Sequence, residues 1–271
     1  MSIKEQFEKT EKLYHFTKFD TALKIIESKR LKFGRLDNMN DLHENDKVVF
    51  LDANGQPIDK FPSDVLDALH DEIYKYRQIS FTAEDKTGDK LGFNLHQMWG
   101  LYADKGEGVC LVFDKKELAK WLETGMEQER VSYDKKVESF YISFSNNPHK
   151  VIDEVRNQTK ELFYHKRKEW EHEQEFRLLK RCPVASKEEY LWYDKAIKFV
   201  ILSSTLRNKD EVRYFKNIAD IKVKAKDIPV LIYGNGLFDY TLCSEDGEEE
   251  LWNSNDGYDI LVIGENCKLA L

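Results

Sequence analysis

The stretch GVCLVFD, from Gly108 to Asp114, most constrains the fold. A run of apolar and β-branched residues bounded by Gly and Asp is the pattern of a buried strand at the centre of a sheet. The remaining segments must therefore supply neighbouring strands and covering helices. KLYHFT before it reads as a short strand. Thr17 and Asp20 then have the spacing of a capping box, leading into a helix on which Phe19, Ala22, Leu23 and Ile26 recur.

LKFGRL resumes extended structure, and DNMNDLHEND is too polar and turn-rich for anything but a loop. A second helix is expected from Ser63 to about Arg77, with Val65, Leu66, Leu69 and Ile73 on one face. QISFT follows as a strand and FNLHQMWGLYA as a short helix. After the central strand, Asp114 and Glu117 cap the helix KKELAKWLE. ESFYISF is a strand leading into the longest helix, whose apolar positions include Val151, Ile152, Val155, Leu162 and Phe163. QEFRLLK and AIKFVILSS are further strands. Beyond Ser204 come a helix around KDEVRYFKNI, a strand IPVLIYG and an acidic tail around SEDGEEE. No repeat and no Pro/Gly/Ser linker divides the chain, so residues 1–271 are expected to form a single mixed α+β domain.

The formal net charge of −8 disfavours nonspecific nucleic-acid binding, which is largely neutralisation of phosphates. The best candidate for a local basic groove is KELFYHKRKEW with Arg177, Lys180 and Arg181, a cluster that reads equally as a solvated helix face. Neither a membrane-spanning run nor an apolar secretory stretch is present, which predicts a cytoplasmic protein with no membrane partner. Cys110, Cys182, Cys243 and Cys267 lack metal-site spacing and are expected as buried free thiols.

The blocks LYHFTKFDTALKIIESKRLKFGRLDNMNDLHE, ISFTAEDK, MWGLYADKGEGVCLVFD, WEHEQEFRLL and AIKFVILSS resemble, in that order, a bacterial family catalogued as domain of unknown function 2971. The resemblance runs from Leu13 to Ser204 and leaves 205–271 as an extension. It includes the Asn40-Asp41 pair with Glu44, although Leu42 stands where the family often has proline.

The same order of parts resembles, more distantly, the ADP-ribosyltransferases, which split NAD at the nicotinamide–ribose bond. Members of the diphtheria-toxin and poly(ADP-ribose) polymerase type carry a strand-end His near a hydroxyl residue, later tyrosines, and a glutamate at the start of a strand. The resemblance implies a mainly antiparallel split sheet with flanking helices. It implies His15, Thr17, Ser80 and Tyr102 around NAD, with Glu175 or Glu173 as the catalytic carboxylate. It also implies NAD as substrate, no metal, and a protein or nucleic-acid acceptor, as in a bacterial toxin or phage-defence effector.

The residue types suit that chemistry. Cleavage builds an oxocarbenium-like cation on the ribose, which a carboxylate stabilises. Glu173 and Glu175 share a face if EQEFR is extended. Tyr102, with Trp99 one turn earlier, could wall a nicotinamide. Structural roles stand beside each of these. His15 is also what a strand interior would hold, Trp99 and Tyr102 also form a packing stripe, and Glu173 or Glu175 also pairs with Arg177. Asp41 also caps its own turn. Two other functions fit the same residues: a metal-dependent nuclease using Asp41, Glu44, Glu173 and Glu175 around Mg²⁺, and a non-enzymatic module that binds a nucleotide or a protein.

Overall fold

A computed structural model describes residues 2–36, 48–51, 55–58, 62–84, 91–134, 140–143, 147–184, 187–234, 251–253 and 259–263. The architecture is mixed α+β with a mainly antiparallel open sheet. The chain packs as two compact units. The first comprises Met1–Leu31, Phe81–Leu122 and Trp192–Leu271, and the second Lys32–Ser80 and Glu123–Leu191.

In the first unit the strand Val109–Asp114 lies where its composition places it. Lys12–Thr17 pairs with it on one side and Ile197–Ser203 on the other, both antiparallel. Its alternate side chains serve opposite faces, as a period of two requires. Cys110 and Val112 join a cluster with Tyr14, Phe16, Trp99, Phe199 and Tyr233. Phe113 meets Phe81 and Tyr193 edge-on. Beyond Ile197–Ser203 the sheet continues through Val230–Gly234 and Asp259–Ile263 to Leu251–Asn253.

One pairing in this unit breaks the antiparallel pattern. Ile197–Ser203 and Val230–Gly234 run parallel, with Val200 opposite Val230 and Ser203 opposite Tyr233. A parallel pair needs a crossover, supplied here by the helix Glu211–Ala225. Tyr214, Phe215, Ile218, Ile221 and Ala225 form its buried stripe. Both strands therefore end at the same edge of the sheet.

Three local expectations need correction. Thr17 does not cap the following helix: paired with Val109, it is the last residue of its strand. The helix Phe19–Ser28 takes Lys18 at its N-cap, with no side-chain hydrogen bond there. The single long helix expected after Pro148 is two, Pro148–Asn157 and Thr159–Phe163, because Gln158 leaves helical geometry at φ −114° and ψ 29°. The helix from Ser63 ends at Ile73, since Tyr76 already belongs to the strand Tyr76–Ala83. Asp114 does cap its helix, accepting from the backbone N–H groups of Lys116 and Glu117.

The second unit packs the helices Ser63–Ile73 and Pro148–Asn157 around Val65, Leu69, Val151, Val155 and Phe163. Its strand Glu175–Arg181 pairs with Met126–Arg130. Cys110 and Cys182 are buried free thiols, while Cys243 and Cys267 lie outside the described residues. No helix among the described residues is long and apolar enough to cross a membrane.

Candidate functional site

At the edge where the two parallel strands end, the first unit holds a cavity of about 450 Å³. Its volume falls in the range of small-molecule sites. Trp99 and Tyr233 form one wall, their rings stacked 5.8 Å apart at 13°. The Trp99 indole N–H donates to the Phe93 carbonyl at 2.7 Å, which fixes the ring. Opposite chemistry comes from Ser203, Ser204, Thr205, Arg207 and Asn208, which directly follow or end the strand Ile197–Ser203. The Ser203 and Thr205 hydroxyls share a hydrogen bond of 2.7 Å, and Ser203 Oγ also accepts from the Thr205 backbone N–H.

Lys105, Arg207 and His96 bring nitrogen donors to the cavity, and no acidic side chain lines it among the described residues. Arg207 is only loosely engaged, with Glu211 at 3.5 Å. The turn carrying Lys105 is backbone of an uncommon kind. Asp104, Lys105 and Gly106 have φ of 49°, 59° and 86° in succession, and left-handed non-Gly residues persist only where surrounding structure holds them. Here Gly106 packs on Thr205, whose Oγ1 would sit 3.2 Å from any added Cβ. Gly108 just beyond approaches the Thr17 carbonyl so closely that a Cβ would meet that oxygen at 2.3 Å.

The second unit contains a different cluster, of buried charge. Glu173, Glu175, Lys166 and Arg177 are exposed by 2%, 4%, 5% and 1%. Lys166 Nζ lies 2.7 Å from Glu173 and 2.9 Å from Glu175. Arg177 grips both Glu175 oxygens, at 2.6 and 2.9 Å, and also donates to the Phe163 carbonyl. The Ser80 hydroxyl donates to the same carboxylate, and the Glu175 backbone N–H donates to Tyr133 Oη at 2.8 Å. Burial would raise the Glu175 pKa, but Arg177 and Lys166 hold it well below the usual carboxylate range. Glu175 is thus a charged acceptor whose two oxygens are already engaged by cations.

Residues 98–178 match the model of a family described as Protein of unknown function (DUF2971). No curated protein and no solved structure matches the chain. The matched segment begins at Met98 beside the cavity's Trp99 and ends at Leu178, just past the Glu175–Arg177 pair. It therefore includes Trp99, Tyr102, Glu173 and Glu175 but not His15, Thr17 or Ser80.

The residues implied by sequence separate into two groups. His15, Thr17, Trp99 and Tyr102 belong to the first unit, and Ser80, Glu173 and Glu175 to the second. Trp99 lines the cavity, and Tyr102 packs against the aromatic cluster. His15 sits opposite Leu111 with its ring 5.7 Å from Phe81. Glu173 and Glu175 do converge, by a different route from the continuous strand expected. Glu173 ends a 3₁₀ helix and Gln174, at φ 46°, turns the chain before the strand begins at Glu175. Asp41 and Glu44 of the nuclease alternative lie outside the described residues. Among the described residues no group of three His, Cys, Asp or Glu is placed to hold a metal ion.

Sequence reasoning passed over Lys105, Arg207, Ser203, Thr205 and Tyr233. The available signal was the order strand, helix, strand in AIKFVILSS, KDEVRYFKNI and IPVLIYG, with Ser-Ser-Thr at the first strand's end. That order is the signature of a parallel pair whose strands end at one edge, which gathers Ser203, Thr205, Arg207 and Tyr233; Lys105 carried no such signal.

Proposed function

We propose that this protein binds a nucleotide-class ligand, a planar ring joined to phosphate or carboxylate, in the cavity beside Trp99, with NAD the first candidate. The observation that carries this reading is the lining itself. An apolar aromatic wall faces Lys105, Arg207 and a pair of hydroxyls with no carboxylate among them, in a chain whose formal charge is −8. A phosphate there replaces water by charge-assisted hydrogen bonds, each contributing about 1.5–3 kcal/mol. Titration calorimetry with NAD, ADP-ribose and AMP tests it. Arg207→Glu and Lys105→Glu should each weaken binding by about tenfold or more. Absence of binding by all three nucleotides, or binding indifferent to both substitutions, refutes it.

A second reading, NAD cleavage by Glu175 or Glu173, is favoured by one observation: Ser80 and Glu175, both implied by the resemblance to ADP-ribosyltransferases, are hydrogen-bonded to each other. Cleavage would require Glu175 to leave Arg177 and Lys166 and face the ribose cation. Release of nicotinamide from NAD by the wild-type protein, lost in Ser80→Ala, supports this reading. Bound NAD that stays intact leaves the first reading alone.

A further inference from the structure

A second concavity of the first unit, about 780 Å³, differs in kind from the cavity at Trp99. It lies at the opposite end of the parallel strands, where Ile197 begins one and Pro229 precedes the other. Ile26, Ile228 and Pro229 contribute apolar surface, and Val223 on the crossover helix lines it while 72% exposed. Five lysines surround that surface. Two of them are neutralised at salt-bridge distance: Lys29 by Asp194 at 2.6 Å and Lys224 by Glu27 at 2.7 Å. The other three, Lys195, Lys198 and Lys226, stand outside salt-bridge and hydrogen-bond distance of any acid among the described residues; Lys195 and Lys198 act on Asp194 and Glu117 only through their fields, and Asp227 also lines the groove.

Two helices end here, Phe19–Ser28 and Glu211–Ala225, and their carbonyl termini favour nearby cations. Lys29 and Lys226, the residues immediately after those helices, answer that field. Lys195 and Lys198 flank a strand start and have no such role. Their charge is therefore available to a partner.

We propose that this groove docks an acidic peptide segment of a partner protein, its carboxylates on Lys195, Lys198 and Lys226 and its aliphatic side chains on Ile26, Val223 and Ile228. Charge complementarity selects the carboxylates, and the apolar floor distinguishes a peptide from a nucleic-acid backbone, which has no aliphatic side chains to bury. Among the described residues no aromatic ring lines the groove, and single-stranded nucleic acid depends on such a stacking platform.

The test is fluorescence anisotropy with a labelled peptide of alternating Glu and Leu, beside the same peptide with Gln for Glu and an oligothymidylate of equal charge. Saturable binding of the Glu peptide alone is expected, weakening with added salt. The triple variant Lys195→Glu, Lys198→Glu, Lys226→Glu should lose at least about tenfold in affinity. Because Lys195 and Lys226 are exposed and Lys198 half-exposed, its nucleotide binding should match wild type, and its melting temperature should fall by only about 2–4 °C, the effect of placing a negative charge at the helix end beside Lys226. If the triple variant misfolds, Lys198→Glu alone should still show a reduced affinity. No saturable binding, affinity indifferent to the substitutions, or tighter binding of the oligothymidylate would each overturn the proposal.

Discussion

Replacing Glu175 by Gln removes one negative charge from a cluster in which two carboxylates face two cations, all four side chains nearly inaccessible to water. What remains is a buried excess positive charge between Lys166 and Arg177, with Glu173 alone to balance it. Breaking a buried pair by deleting one partner costs about 3–5 kcal/mol, because the surviving charge keeps its desolvation penalty without its compensation. The bidentate Arg177 contact and the added Lys166 contact place Glu175 toward the upper part of that range. For a chain of this size the loss corresponds to a fall in melting temperature on the order of 10 °C. Urea unfolding followed by circular dichroism measures it directly. Glu175→Leu with Arg177→Met removes both halves of one pair, leaves Lys166 with Glu173, and should recover most of the lost stability, as replacing a buried ion pair by apolar residues commonly does. If Glu175→Gln unfolds within about 0.5 kcal/mol of wild type, the range of a neutral surface change, the cluster is not a structural one. Glu175 would then be free for chemistry, and the NAD-cleaving reading would gain what the stability argument lost.

Glu72 gives a second electrostatic prediction with a defined pH window. It is wholly buried and held by Arg181, Arg156 and Lys75, which together outweigh burial and lower its pKa from 4.5 to about 2. A depressed carboxylate stabilises the fold above its unfolded pKa and loses that contribution as pH falls through the folded one. The shift corresponds to about 3 kcal/mol, reduced toward about 2 because the three cations are partly exposed to solvent. Wild type should therefore lose stability between about pH 4.5 and pH 2 more steeply than Glu72→Gln, and equal acid slopes in urea titrations would contradict this. Gly108→Ala should destabilise by about 1–3 kcal/mol or more, since the added methyl meets backbone at Thr17 and Ala103. Gly100→Ala, in an exposed helical position with open space around it, should instead stabilise by about 0.4–1 kcal/mol. Thermal melts of the two variants should move in opposite directions.

Much of the fold was legible because strong local signals and tertiary demands agree. Val109–Asp114 is apolar at every position that must be buried, so its place between two partners followed from composition. The Asp114 cap was legible for the same reason: side-chain chemistry and chain direction coincide there. Thr17 misled because a hydroxyl with an acid three residues on reads as a cap, while the sheet register with Val109 claims it for the strand. The short strands Ser132–Asp134 and His165–Arg167 had no signal, since among the described residues they pair with each other alone and are mostly polar. The same contrast divides the sites. Trp99 and Glu175 were singled out by residue type, but residue type does not say whether a carboxylate faces a ligand or an arginine; that depends on Lys166 and Arg177 arriving from other segments. Lys105 and Arg207 were invisible as a pair because their segments meet only through the antiparallel register that sets Val109 opposite Leu202, a pairing between strands far apart in sequence.

The spacing of these partners along the chain also sets an order of events. Ile197–Ser203 and Val230–Gly234 need only residues 204–229 to be looped back along the sheet, whereas Val109–Asp114 must find Ile197–Ser203 across residues 115–196. Closing a long loop before its contacts form is slow. The aromatic wall of Trp99 and Tyr233 is thus completed among the last parts of the first unit, and stacking of those rings marks the moment at which a folding chain first becomes able to hold its ligand.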